Sequence, residues 1–265
     1  MIKNLKTYNW QNAIRGMRNP LKSWNKIDTE VKWSQNNGEF PVIGPNDLKL
    51  IKQLAKAGNS HRKYLRQIQI SFDLTACLKF FDEFATYQYV VSNSTSQMHG
   101  VDKKGFKFKY DDFRNKFYCD LGKETLFVIM SNANKILEWR ERETDEEIRK
   151  KLWRDVIDIV PQSFLYTRTV TLNYEVFLAM YSQRKNHKME EWVILMKELR
   201  NKLPYANELI EIFEIKKQKQ NIAKKIISLL TNIIKNNNND KDIGHYVNNE
   251  IRFELNKYKD IKKNS

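Results

Sequence analysis

The sequence has no run approaching the ~18 apolar residues that a membrane-spanning helix needs, so no span is expected. Its opening, "MIKNLKTYNW", lacks an apolar core and a small-residue cleavage site, so no signal peptide is expected either. Cysteine is scarce. The two present, Cys77 and Cys119, lie far apart in apolar or aromatic settings. They read as buried free thiols of a cytoplasmic protein rather than as a disulfide. There is no C-x-x-C, which argues against structural zinc, and the four histidines are too scattered for a metal site. No G-x-x-x-x-G-K-[ST] loop, G-x-G-x-x-G turn or H-E-x-x-H helix occurs, and no internal repeat is visible. No Ser-His-Asp arrangement can be read from spacing.

What is present is a chain of 265 residues, 41% apolar and 12% aromatic, enough to bury a sizeable core. The net charge is +15, which points to phosphorylated or polyanionic partners. Much of the excess lysine sits late, in "IKKQKQNIAKK" and "NKYKDIKKNS", and reads as solvated surface. Nucleic acid therefore stays a possible partner, not the favoured one.

Hydrophobic periodicity divides the chain. A short helix or turn begins near Trp10 and closes at Pro20. Residues 25–44 read as loop, because "SQNNGEFPVIG" is full of turn formers. "GPNDLKLIKQLAKAGN" reads as a helix with Asn46 or Asp47 as N-cap and Leu48, Ile51, Leu54 and Ala55 on one face. "RQIQISFDL" alternates and predicts a strand with Ile68, Ile70 and Phe72 on one side. "TACLKFFDEFATYQYVV" has helical spacing. Residues 103–118 alternate lysine with aromatics, as a strand pair or an exposed basic edge. Residues 120–157 predict two helices, with Thr144 and Glu147 in capping-box spacing. A second strand is expected over about Phe164–Leu172, followed by a helix from Asn173 that bears Arg184. A helix over 205–235 ends at "KNNNND", a solvated linker before a short basic helix. The expected division is a domain over 1–204 and a basic helical extension over 205–265.

The stretch "YQYVVSNSTSQMHG", residues 87–100, reads by itself either as a polar turn or as the wall of a binding site. Its context favours the second. "LIKQLAKAGNSHRKYLRQIQISFDL" resembles the helix, turn and strand of the flavin-dependent thymidylate synthase (ThyX-type) family. That family's signature, R-H-R-x-x-S-x-N-x-x-S-x-R, then falls on Thr86 to Met98. "VPQSFLYTRTVTLNYEVFLAMYSQRKNHKMEEW" resembles the family's L-P-x-x-x-Y-T and T-x-N-x-R segments through Pro161, Tyr166, Thr167, Thr171, Asn173 and Arg184, with Glu190 or Glu191 beyond. The resemblance spans about residues 40–200, in the family's order.

The resemblance implies an α/β (mixed α+β) domain of the thymidylate synthase-complementing-protein-like fold, a small mixed sheet with long helices. It implies a homotetramer with sites between subunits. It also implies FAD as cofactor, NADPH and methylenetetrahydrofolate as co-substrates, and reductive methylation of dUMP, or a related pyrimidine nucleotide, to dTMP. By position in the motifs, Arg184 would polarise the pyrimidine. Asn93, Ser94, Ser96, Arg66 and Glu83 would join Arg184 in holding the nucleotide. Ser60, His61, Arg62, Thr86, Tyr87, Gln88 and Asn173 would line the flavin, and no metal is implied. The family's R-H-R triplet is Thr86, Tyr87 and Gln88 here. Its first serine is Val91 and its closing arginine Met98. A glutamate before the strand is Arg66, the arginine before L-P is replaced near Ile157, and the N-x-R arginine is Glu175. A charge-assisted hydrogen bond to phosphate is worth roughly 1.5–3 kcal/mol, so each missing arginine weakens the hold on a nucleotide. His61, Arg62, Arg66, His99 and Arg168 are basic where the family is not. Beside the synthase, the sequence leaves open an inactive nucleotide-binding homologue, and a nucleic-acid binder using residues 103–118 and the basic tail.

Overall fold

Alternation of side chains decides the sheet. In the strand Gln69–Cys77, Ile70, Phe72, Leu74 and Ala76 are buried while Ser71, Asp73 and Thr75 turn the other way. Leu165–Asn173 repeats the pattern with Val170 and Leu172. The two strands pair antiparallel without interruption from Gln69 opposite Asn173 to Cys77 opposite Leu165. The computed structural model describes residues 1–235 and 249–257.

In chain order the elements are β1 (Ile2–Tyr8), α1 (Trp10–Met17), β2 (Glu30–Ser34), β3 (Gly38–Val42), α2 (Pro45–Ala57) and α3 (Lys63–Gln67). Then come β4 (Gln69–Cys77), α4 (Leu78–Phe84), β5 (Val91–Ser94), α5 (Gln97–Val101), α6 (Asp120–Arg142) and α7 (Glu146–Ile159). β6 (Leu165–Asn173), α8 (Tyr174–Arg184), α9 (Glu190–Lys202) and α10 (Ala206–Lys235) follow, and 249–257 is a further helical segment. The six strands run β2-β3-β1-β4-β6-β5, antiparallel except where β1 meets β3. This is the mixed α/β class that the sequence implies.

One sheet face carries the main core: Ile70, Phe72, Val170 and Leu172 pack with Trp10, Phe80, Phe177 and Trp192, all nearly or wholly buried. The opposite face is a polar ladder. Thr75 and Thr167 hydroxyls lie 2.8 Å apart, Thr169 donates to Asp73 at 2.7 Å, and Thr171 donates to Ser71 at 3.3 Å. Bonds from Thr169 and Asn4 hold the Asp73 carboxyl below its usual pKa. A second core lies under α6 and α7, where Val101, Phe108, Phe113, Leu126, Leu137 and Val156 meet. Leu209, Ile210 and Ile212 of α10 join the main core. Among the described residues no helix is long and apolar enough to cross a membrane.

Several local expectations are corrected. Residues 25–44 hold the β2–β3 hairpin; its turn formers mark the turn, not the whole segment. Gly38 sits there at φ +68, where a side chain would strike the Thr7 carbonyl. β1 is hidden in the sequence because lysines interrupt its apolar positions. The helix expected over "TACLKFFDEFATYQYVV" covers Leu78–Phe84 alone: Thr75–Cys77 belong to β4, and Tyr89 turns the chain at φ 61. Residues 103–118 form no strand pair; Phe106, Phe108 and Phe113 pack inward, while Lys103, Lys104, Lys107, Lys109 and Lys116 stay exposed. Asp145, not Thr144, caps α7 by accepting from the Glu147 and Ile148 amides. Cys77 is buried but Cys119 is exposed. The "KNNNND" linker lies outside the described residues apart from its first lysine.

Asp47 has a larger role than the N-cap expected of it; the cap residue of α2 is Gly44. The Asp47 carboxylate is wholly buried and takes Arg18 Nε at 2.7 Å. Its other oxygen accepts from the Asp28 and Thr29 amides and the Thr29 hydroxyl. Asp28 answers by accepting from the Asn46 and Asp47 amides. Removing one member leaves buried charge and donors unpaired, so Asp47→Ala is expected to lose about 3–5 kcal/mol in a denaturant titration. A loss below about 1 kcal/mol would contradict this role.

Candidate functional site

α4 and α8 place an arginine in a ring of acceptors. Arg184, in the last turn of α8, sends Nε to the Tyr87 hydroxyl at 2.8 Å and one terminal nitrogen to Glu83 at 3.0 Å. The same nitrogen lies 2.8 Å from His187 Nε2. Trp192 Nε1 donates to the same Glu83 oxygen at 3.1 Å, and the guanidinium lies 4.8 Å from the Trp192 ring centre. Tyr87 donates its own proton to Gln183 at 2.9 Å. Arg184 is thus oriented by three elements, and its second terminal nitrogen has no partner among the described residues. That nitrogen is free to donate to a carbonyl or oxyanion.

A second cluster sits at the other end of α8. Glu175 in its first turn takes Arg62 Nε at 2.8 Å and Arg66 Nε on its other oxygen. Arg62 also bonds Asn59 and lies over Phe213 at 4.4 Å. Arg66 and Glu175 both depart from the family pattern, with opposite changes of charge, and here they face each other. Nine helical steps separate Glu175 from Arg184, about 14 Å at 1.5 Å per residue.

The remaining expected residues divide among these places. Asn93 and Ser94 lie on β5, the exposed edge strand, opposite Thr169 and Arg168 of β6. Ser96 caps α5 by accepting from the His99 amide at 3.2 Å. Thr86 bonds back to the Glu83 carbonyl at 2.7 Å, and Gln88 is exposed beside it. Ser60 and His61 are exposed in the turn after α2. Asn173 caps α8 by accepting from the Val176 amide at 3.0 Å. One chain therefore joins Glu83, Tyr87 and Arg184, and joins Arg62 with Arg66, but does not bring the two sets together. Sequence reasoning misses Gln183, which accepts from Tyr87, and His187 and Trp192, which meet Arg184 through the α8–α9 turn, for which no spacing rule exists. A cleft of about 600 Å³ between β1, the β2–β3 turn and Leu203–Pro204 touches none of these residues.

No family model and no curated protein matches the chain. Solved structures do. Thymidylate synthase X from Helicobacter pylori, crystallised with FAD and dUMP, superposes with TM-score 0.57 at 14% identity, covering 79% of this chain and 96% of that one. A second structure of the flavin-dependent enzyme from Helicobacter pylori, complexed with FAD and dUMP, gives 0.56 at 15% identity over 79% and 96%. The UMP/dUMP methylase PolB from Streptomyces cacaoi, bound with 5-Br dUMP, gives 0.49 at 14% identity over 81% and 95%. The chain has the fold of the flavin-dependent thymidylate synthases.

Because Glu83 and Arg184 are both partly shielded, at 30% and 19% side-chain exposure, their pairing is worth more than a surface ion pair. A double-mutant cycle on Glu83→Gln and Arg184→Gln is expected to give a coupling of about 1–2 kcal/mol in thermal or denaturant unfolding. A coupling near zero would show that Glu83 does not position Arg184.

Proposed function

We propose that this chain is a divergent FAD-dependent enzyme that methylates a pyrimidine nucleotide, dUMP or a close relative. The observation that carries the reading is Arg184. It lies on the fold of those synthases, at the end of the helix after the second long strand, held by Glu83 and Tyr87 with one nitrogen left to donate. A partly shielded guanidinium fixed by its neighbours can polarise a pyrimidine carbonyl at no reorganisation cost during reaction.

The flavin fits less completely within one chain. Ser60, His61 and Gln88 offer exposed donors for its neutral portion, while Arg62 is already joined to Glu175 and Asn173 to the start of α8. No unneutralised cation among these residues answers a diphosphate, so the proposal includes a homo-oligomer, a tetramer by resemblance, in which a second subunit completes the seat. FAD, when bound, supplies the redox chemistry, with NADPH and methylenetetrahydrofolate as the proposed co-substrates. The chain's own part is to orient the pyrimidine with Arg184 and to hold the sugar and phosphate along β5, through Asn93 and Ser94, and at Ser96 beyond it.

A second reading is favoured by one feature, the replacement of the R-H-R triplet by Thr86, Tyr87 and Gln88. On that reading the fold binds a nucleotide without turnover. An absorbance spectrum between 300 and 550 nm, taken before and after adding FAD and then dUMP, separates the two. The synthase reading predicts a flavin band that shifts when dUMP is added. A protein that takes up no flavin at any concentration, yet binds dUMP, would replace it with the second reading.

A further inference from the structure

The arginines that the fold withdraws from solvent have acidic partners, with one exception. Arg18 meets Asp47, Arg62 meets Glu175, Arg114 meets Glu191, Arg140 meets Asp102 and Arg184 meets Glu83. Arg168 on β6 meets no carboxylate in contact range among the described residues. Its guanidinium carbon lies 4.1 Å from the centre of the Phe81 ring, and its Nε is buried without a hydrogen-bond partner. Arg140 and Arg149 also leave Nε unbonded, but their other nitrogens reach carboxylates. Burial disfavours the Arg168 cation and lowers its pKa, and Asp82 acts on it only at a distance.

A second orphan lies close by in the topology. Gln97 Oε1 accepts from the Tyr166 hydroxyl, while its Nε2 is buried with no acceptor. Tyr166 and Arg168 are two residues apart on one strand and so share a face. Ser94 lies opposite Arg168 in the ladder, and the Thr95 amide donates to the Thr167 carbonyl at 2.9 Å. A cation and an amide, both short of acceptors, therefore stand where β5 passes through Thr95 and Ser96 into α5. Water or a neutral base cannot supply the missing charge. A phosphate ester can: it is anionic and accepts through several oxygens.

We infer that Arg168, with Gln97 beside it, seats the phosphate of the pyrimidine nucleotide, in place of the arginines absent from the signature loop of this chain. The inference rests on the pyrimidine-nucleotide reading, and it adds the residue that distinguishes a nucleotide from its nucleoside. Flavin phosphate has the same chemistry, so the two sources need separate tests.

The experiment is calorimetric titration of the full chain, in the assembly it forms, with dUMP, deoxyuridine, inorganic phosphate and FAD, for the wild type, Arg168→Gln and Gln97→Leu. Thermal melts of each accompany it. Arg168→Gln is expected to weaken dUMP about tenfold or more and to leave deoxyuridine unchanged. Its ligand-free melting temperature is expected to equal or exceed that of the wild type, since an orphan charge is removed. Inorganic phosphate is expected to raise the melting temperature of the wild type alone. Gln97→Leu is expected to give a smaller loss with the same selectivity for dUMP over deoxyuridine. Unchanged dUMP affinity in Arg168→Gln, an equal loss of dUMP and deoxyuridine, or a loss confined to FAD would each overturn the assignment while leaving the nucleotide reading intact. Wild type that binds phosphate through Arg168, but neither dUMP nor deoxyuridine, would keep the anion seat and remove the nucleotide reading. A wild type that binds none of the four would remove both.

Discussion

The pairing of β4 with β6 is the contact on which the rest of the molecule depends. Nine consecutive residue pairs join segments 88 to 104 positions apart in sequence, from Cys77 with Leu165 to Gln69 with Asn173. Closing that loop is entropically costly, and the ladder offsets the cost with backbone bonds on one axis and buried Ile70, Phe72, Val170 and Leu172 on the other. Once the register is set, the exits are fixed. α4 leaves β4 beside the start of β6, α8 leaves β6 beside the start of β4, and β5 adds to the free edge of β6. A slip of one residue would turn the threonine ladder into the core and expose the core face.

Charge is distributed over this frame in a way that net charge conceals. The chain carries +15, but its shielded arginines are mostly spent on internal carboxylates. Glu175 binds the shielded Arg62 and the exposed Arg66 at one end of α8, and Glu83 binds Arg184 at the other. Such pairs hold geometry more than they add stability, because desolvation offsets much of the Coulomb gain. Their value here is orientation. Arg184 keeps a single donor direction, fixed by Tyr87, Glu83 and the Trp192 ring. The proposed chemistry needs a guanidinium that does not move when charge develops, and this arrangement provides one.

The sequence shows β4, β6, α2, α6 and α7 because each has periodicity on one buried face, and α8 because its apolar run is long enough for a helix buried on most sides. It hides β1, β2 and β3, whose exposed lysines and aromatics blur the alternation, and it overextends α4, because Tyr87 and Val90 keep helical spacing beyond the turn. The class of fold is legible from the order of three partial motifs, none specific alone. The site is legible only in part. Arg184, Glu83 and Tyr87 stand out by position in those motifs, and the structure joins them. Arg66 and Glu175 look like two separate departures, because nothing in a linear sequence says that residues 109 apart will meet. His187 and Trp192 reach Arg184 through a helix-to-helix turn whose geometry depends on packing. Asp47 has the sequence position of a helix cap, whereas burial assigns its carboxylate to Arg18.

The register of β4 against β6 underlies every one of these placements, and a cysteine cross-link tests it most directly. Thr75 and Thr167 lie opposite each other with hydroxyls 2.8 Å apart. With Cys77→Ala and Cys119→Ser removing the native thiols, Thr75→Cys with Thr167→Cys is predicted to oxidise to a disulfide without loss of the native circular-dichroism spectrum, while Thr75→Cys with Thr169→Cys stays reduced. Efficient cross-linking of the second pair and not the first would mean a different register, and with it a different neighbour for Arg168 and a different exit for α8.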